Sequence, residues 1–168
     1  MKSDDFQAVY RELYPSLSRY VHRFTGDADA AADIVQDSFL RLLEHDLPRE
    51  EARPWIFVVA MNLARDRVRS KDRRRRLLVA NQEKRSAASS PLEDLERTER
   101  IELVRKALER LSERDRQMLL MREEGFRYTE IAEAVGVRST SVGALVARAL
   151  KKFSAAYGAV GETNASPE

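Results

Sequence analysis

Apolar residues at Phe6, Val9, Tyr10, Leu13, Leu17, Tyr20, Val21 and Phe24 recur in steps of three and four, which predicts an amphipathic helix at the start of the chain. Pro15 lies inside it and is expected to kink or divide the helix near Leu13–Pro15, because proline removes an amide donor and crowds the preceding turn. The pattern stops at Thr25-Gly26-Asp27, where Gly26 ends one helix and Asp27 can cap the next. A second helix is predicted from about Ala28 to Glu44, with Ala31, Ile34, Val35, Phe39, Leu42 and Leu43 as its apolar stripe. His45-Asp46-Leu47-Pro48 is a break. A third helix should begin near Glu50–Pro54, where a first-turn proline is tolerated, and run to about Lys71. Trp55, Ile56, Val59, Ala60 and Leu63 give it a broad buried face, while Asn62, Arg65, Asp66 and Arg69 line a common polar side.

Periodicity is lost over residues 81–95, NQEKRSAASSPLEDL, whose Ser, Ala and Pro content reads as a flexible linker. A further helix follows from about Leu92 to Leu111, burying Ile101, Val104, Leu108 and Leu111. Ser112-Glu113-Arg114-Asp115 resembles a capping box with Asp in place of Glu, opening a helix over Asp115–Glu124 that buries Met118 and Leu119. Gly125 ends that helix and Phe126 tucks back. The stretch YTEIAEAVGVRSTSVGALVARALKKF, Tyr128 to Phe153, then predicts two short helices and a tight turn. Thr129 can cap the first, Gly136 suits a left-handed turn position, and Ser139 or Thr140 can cap the second. This is the sequence form of a helix-turn-helix, whose second helix enters the DNA major groove, although an ordinary αα-hairpin has the same pattern. The chain is thus expected to be all-α, in two small helical domains: 1–78, a linker over 79–95, 96–157 with the helix-turn-helix, and a frayed tail over 158–168.

Composition narrows the chemistry. With 35% charged and 7% aromatic residues, each core should be modest and aliphatic. The absence of cysteine excludes disulfides and thiolate metal sites and fits a reducing compartment. No apolar run approaches the ~18 residues of a membrane span, and MKSDDFQAVY lacks the apolar core of a signal peptide, so a cytoplasmic protein without membrane insertion is expected. Charge is unevenly divided. Residues 1–50 carry six Lys/Arg against ten Asp/Glu, whereas residues 51–100 carry thirteen against eight. That asymmetry suggests an acidic face for a protein partner and a basic one for a polyanion. Asp29, Asp33, Gln36 and Asp37 form the acidic face of the second helix; the helix dipole accounts for Asp29 but fades before Asp33 and Asp37. With no His or Cys beside them and no Gly-rich loop after them, they read as a face for a basic partner and not as acid chemistry or a metal site. From Arg65 to Arg76, RDRVRSKDRRRR holds eight basic residues against two acidic ones, a pattern shared by solvated helix ends and phosphate-binding elements. Two isolated histidines, no cysteine, no phosphate loop and no nucleophile constellation give an enzyme no support, and no cofactor or metal is expected.

Several separated motifs converge on one family. Asp33-Ile34-Val35-Gln36-Asp37-Ser38-Phe39-Leu40, Pro54-Trp55-Ile56-Phe57, Asn62-Leu63-Ala64-Arg65-Asp66-Arg67-Val68-Arg69, Leu111-Ser112-Glu113-Arg114-Asp115-Arg116 and Tyr128-Thr129-Glu130-Ile131-Ala132-Glu133, with Arg148-Ala149, occur in this order. The chain therefore resembles the extracytoplasmic-function (ECF) group of bacterial RNA polymerase sigma factors, in the sigma-70 family, over about residues 6 to 153. The resemblance implies that Asp33, Ile34, Val35, Gln36, Asp37, Phe39 and Leu40 belong to a helix that docks on the β′ coiled coil of core RNA polymerase. A further contact with the β subunit is expected. It implies that Trp55, Asn62, Arg65, Asp66 and Arg69 capture unpaired bases of the promoter −10 element, with Arg73 and Arg74 in the phosphate-holding tail. The helix-turn-helix would read the −35 duplex through Arg138, Ser139, Thr140, Ser141, Gly143, Ala144, Arg148, Lys151 and Lys152. An anti-sigma factor is a further implied partner, and the free protein is expected to be a monomer.

Family members often carry Lys-Ser-Arg early in the recognition helix, where this chain has Gly143-Ala144-Leu145. Either the bare backbone comes closer to DNA, or −35 binding is weaker and rests on the flanking residues. A different class of function also stays open at this point: a stand-alone helix-turn-helix regulator that binds duplex operator DNA as a dimer.

Overall fold

The computed structural model describes residues 3–45, 47–77 and 92–164, which form seven α-helices and, among the described residues, no strand. α1 (Ser3–Thr25), α2 (Ala28–Glu44) and α3 (Arg49–Leu77) each pack on the other two. In the second group, α4 (Leu92–Glu109), α5 (Glu113–Glu123) and α6 (Tyr128–Val135) all rest on α7 (Ser139–Asn164). The linker expected over 79–95 lies outside the described residues as far as 91, and residues 92–95 belong to the first turn of α4.

The first three helices follow their sequence signals closely. Asp27 adopts an extended backbone and its carboxylate accepts the Ala30 amide at 3.1 Å, capping α2. That amide, assisted by Lys71, holds the Asp27 carboxyl below the usual aspartate range. Gly26 turns the chain at φ 66°. α1, however, runs unbroken through Pro15, against the expected division. Pro15 is exposed, so the carbonyl that loses its partner sits on the water-facing side. The core is built from Leu17, Tyr20, Val21 and Phe24 of α1, Val35, Phe39 and Leu42 of α2, and Ile56, Phe57, Ala60, Met61 and Ala64 of α3. Trp55, Val59 and Leu63 flank that deepest line and are half-buried, and Leu43 turns outward instead of joining the α2 stripe.

In the second half, the Ser112 hydroxyl accepts the Asp115 amide at 3.1 Å, the cap its sequence predicts. Gly136 takes a left-handed φ of 68° and ends α6. The caps of the next two helices differ from expectation. α6 starts one residue before Thr129, and the amide of its cap residue Arg127 donates to Glu130 at 2.7 Å. α7 already includes Ser139 and Thr140, so Arg138 precedes it and its carbonyl accepts the Ser141 amide. α4 packs on α7, with Ala107 and Leu108 buried, while Ile101 and Val104 face outward, and Leu150 of α7 is likewise exposed. The tail expected from residue 158 is helical through Asn164: Phe153, Tyr157 and Val160 continue the steps of four and three, and Val160 is buried. Residues 165–168 lie outside the description.

Part of the contact between the halves is an aromatic line. Tyr20 packs on Phe57 with ring centroids 5.0 Å apart, and Phe57 meets Phe126, from the turn after α5, edge-on at 4.8 Å. Phe126 does tuck back as its sequence suggests, but onto the other half of the chain.

Candidate nucleic-acid interface

Three helix faces carry the candidate residues, and each is held by a different side of its own helix. On α2, Asp33, Gln36, Asp37 and Leu40 follow one another at helical spacing and are all exposed. Ile34, Val35 and Phe39 lie on the opposite side and are 6%, 1% and 3% exposed. These three hold the helix in the core of the free chain, so the exposed residues of the set form its candidate face. Leu40 and Leu43 add exposed apolar area to the acidic stripe. Asp33 faces Arg67 at 3.8 Å, a loose surface pair of two exposed groups. The face is therefore an acidic ridge with an apolar end.

On α3, Asn62, Asp66, Arg69 and Arg73 follow one another along the side opposite the core and are exposed, as is Arg74. Trp55 starts this side, half-buried and stacked on His45 with ring centroids 4.9 Å apart. Arg65 sits at the boundary between this face and the core. Its guanidinium donates to the Gln117 side-chain oxygen on α5. One turn along, Arg69 grips Glu113 of α5 with two bonds, Nε–Oε1 at 3.2 Å and Nη2–Oε2 at 2.8 Å. The Glu113 carboxylate raises the Arg69 pKa further above its ordinary value. The structure thus joins two predicted DNA-binding residues to two α5 residues: Gln117, which no sequence pattern singled out, and Glu113, which stood in the Leu111–Arg116 motif with no partner assigned. Gln117 is 1% exposed, a burial that its polar side chain does not signal in the sequence.

Two more arginines bind the halves together. Arg53 of α3 donates to the Glu124 carbonyl and stacks over Phe126, 4.1 Å from its centroid. Arg116 of α5 donates to the Phe24 carbonyl at 2.9 Å and stacks over the Phe24 ring. Arg53 was not singled out in the sequence, and Arg116 stood there only as the last residue of the Leu111–Arg116 motif.

On α7, Val142, Val146 and Ala149 are fully buried and fix the helix against α5 and α6. Arg138, Ser139, Thr140, Ala144, Arg148, Lys151 and Lys152 lie exposed around it, with Ser141 and Gly143 half-buried. Lys152 differs from the rest because its ammonium donates to Asp115 at 2.6 Å. Burial opposes the charge on Asp115, but the hydrogen bonds from Lys152 and Ser112 outweigh it and hold the carboxyl below its usual range. At Gly143, a Cβ would meet the Tyr128 ring at 3.5 Å, ordinary van der Waals contact. Tyr128 is in turn held by Arg122, which donates to its hydroxyl at 2.8 Å.

Comparison with known proteins gives these faces a common setting. The family model for Sigma-70 region 2 matches residues 9–74, most of α1 to α3, and that for Sigma-70 region 4 matches residues 101–153, from α4 into α7. The chain is 33% identical over 141 residues to the ECF RNA polymerase sigma factor SigL of Mycobacterium tuberculosis, covering 81% of this chain and 79% of that one. It is 30% identical over 145 residues to the ECF RNA polymerase sigma factor EcfG of Rhodopseudomonas palustris, covering 84% and 78%. Among solved structures, the sigma factor RpoE of Bartonella quintana, crystallised with the anti-sigma factor NepR, shares the fold. Its TM-score is 0.67 at 21% identity, over 90% of this chain and 96% of that one.

Proposed function

This chain belongs to the ECF family of RNA polymerase sigma factors, and from that premise we propose how its faces divide the work of promoter recognition. As a sigma factor it binds core RNA polymerase and directs transcription initiation at a specific class of promoters. The observation that carries this reading is the presence of both sigma-70 regions, in order, on the two helical halves of one chain.

The ridge of Asp33, Gln36, Asp37 and Leu40 docks on the β′ coiled coil, where exposed carboxylates complement a basic helix and Leu40 adds apolar contact. Ile101 and Val104, exposed on α4, offer apolar area for the contact with the β subunit. The α3 face of Trp55, Asn62, Arg65, Asp66 and Arg69 takes unpaired bases of the −10 non-template strand by stacking and edge hydrogen bonds, and Arg73 and Arg74 hold phosphates. The start of α7, with Arg138, Ser139, Thr140, Ser141, Gly143 and Ala144, reads the −35 duplex. Arg148 and Lys151 supply charge along the same helix, and Lys152 shares its charge with Asp115.

No step here is covalent, so the protein acts by binding and not as an enzyme, in the cytoplasm and as a monomer until it meets polymerase. An anti-sigma factor is a further partner, a reading supported by the complex in which the RpoE relative was crystallised. Run-off transcription on genomic fragments, with core polymerase and with or without this chain, tests the function. New start sites that depend on the chain are expected, and their absence would overturn it.

A further inference from the structure

We propose that Tyr128 and Arg122 form a phosphate clamp beside the recognition helix, gripping the wall of the −35 major groove in place of the side chains that α7 lacks. The inference rests on the assignment of α7 to the −35 duplex made above.

The outward face of α7 is bare where it begins. Opposite the buried line of Val142, Val146 and Ala149 stand Thr140, Ala144 and Ala147, with Gly143 at their edge. No side chain on this stretch of the face is longer than threonine. Such a helix meets base edges through methyl groups and one hydroxyl, whereas the bulk of affinity for a duplex comes from charged contacts to phosphate.

Tyr128, the first residue of α6, lies against the same edge. A Cβ at Gly143 would meet its Cε2 at 3.5 Å, and 42% of the tyrosine is exposed. In a helix-turn-helix the first helix crosses the DNA backbone while the second fills the groove. A ring seated beside the second helix, on the side of the first, therefore faces the groove wall, where the phosphates stand.

The hydrogen bonding suits an anion. Arg122, exposed in the last turn of α5, donates from Nη1 to the Tyr128 hydroxyl at 2.8 Å, with its guanidinium carbon 6.0 Å from the ring centroid. The hydroxyl oxygen accepts that bond, which leaves its own proton to donate elsewhere. Among the described residues, Arg122 forms no ion pair, whereas Arg19, Arg69, Arg105 and Arg127 each meet a carboxylate. An uncompensated guanidinium beside a hydroxyl donor is a set that takes the oxygens of a phosphate. The helix dipole accounts for a cation in the last turn of α5. It does not account for a cation turned onto a tyrosine of the next helix.

The probe is a short duplex carrying the −35 region of a start site found by run-off transcription, titrated with the full chain at several salt concentrations and read by fluorescence anisotropy. Arg122→Ala should lower affinity by about tenfold and flatten the fall of log K by about 0.9 per decade of salt, the loss of one phosphate contact. Tyr128→Phe keeps the ring on Gly143 and every charge, so affinity should fall by about fivefold with the salt slope unchanged. Arg11→Ala, which removes the same charge from an exposed position on α1, should match wild type. A pair that only staples α5 to α6 would change thermal stability and leave the salt slope alone. Arg122→Ala with the wild-type slope, or Tyr128→Phe with wild-type affinity, would overturn the clamp. If Arg122→Ala does not fold, Tyr128→Phe decides. A chain that starts no transcription counts instead against the functional reading. A duplex that the chain enriches from a random pool then serves as the probe, and the same variants still judge the clamp.

Discussion

Lys152, near the middle of α7, donates to the Asp115 carboxylate at the start of α5 across 2.6 Å, and the Asp115 side chain is 5% exposed while that of Lys152 is 63% exposed. The pair fastens the recognition helix to the helix that faces α3. Because the Asp115 pKa is lowered in the folded chain, the contribution of the pair is complete above the unfolded aspartate value near pH 4. It is lost as pH falls through the lower folded value. Asp115→Asn should therefore cost about 2 kcal/mol at pH 7, the scale of a hydrogen bond to a charged group. The difference from wild type should shrink below about pH 4. Urea unfolding of both proteins at pH 7 and at pH 3 checks this, and an unchanged difference would remove the ion pair as its cause.

The two sides of α2 should separate by mutation. Ile34→Ala opens a cavity in the core and is expected to cost about 2–4 kcal/mol of stability. Asp37→Arg changes an exposed position and should leave stability within about 0.5 kcal/mol. It should nevertheless weaken core polymerase binding by about tenfold or more, because a like charge then meets the basic partner. Thermal unfolding beside a fluorescence titration with core polymerase resolves the two. Equal polymerase affinity for Asp37→Arg and wild type would remove the acidic ridge from the interface.

What could be read from the sequence was whatever short-range chemistry decides. Asp27, Ser112 and Gly136 stand where their side chains or backbone freedom dictate, and the apolar steps placed most of the core. Ile34, Val35 and Phe39 show the limit of a motif: it gathers contact residues and packing residues alike, and only burial divides them. Ile101 and Val104 were misplaced because periodicity gives a helix an apolar side without saying how much of it a neighbour covers. Arg65 with Gln117 is 52 residues apart in sequence, and nothing local marks either as the other's partner. The tail was misjudged because Gly158 and Gly161 suggest fraying, while Val160, one turn past Tyr157, packs the helix down.

Gly136 should resist substitution for backbone reasons alone. Its φ of 68° suits glycine, yet a Cβ there would meet nothing within 4 Å. Gly136→Ala is therefore expected to cost about 1 kcal/mol, the strain of a left-handed alanine. Gly136→Asn should cost less, since asparagine tolerates this region. Denaturant titration of the two variants ranks them, and equal costs would mean that the turn relaxes to another conformation.

Gly143 permits a test of how the recognition helix grips its duplex. Its bare side faces Tyr128, and the 3.5 Å contact a Cβ would make there is one the ring accommodates. Gly143→Ala should consequently stabilise α7, by up to about 1 kcal/mol from helix propensity. If the missing side chains only weaken −35 binding, alanine should leave duplex affinity unchanged. Gly143→Lys should then raise it and steepen the salt dependence by about 0.9 in log K per decade of salt, one added phosphate contact. If the bare backbone itself approaches DNA, both substitutions should lower affinity, alanine included. Fluorescence anisotropy on −35 duplex at several salt concentrations separates the two accounts. The exposure of Arg138, Ser139 and Thr140 at the helix start favours the first, because these side chains are available whatever stands at Gly143.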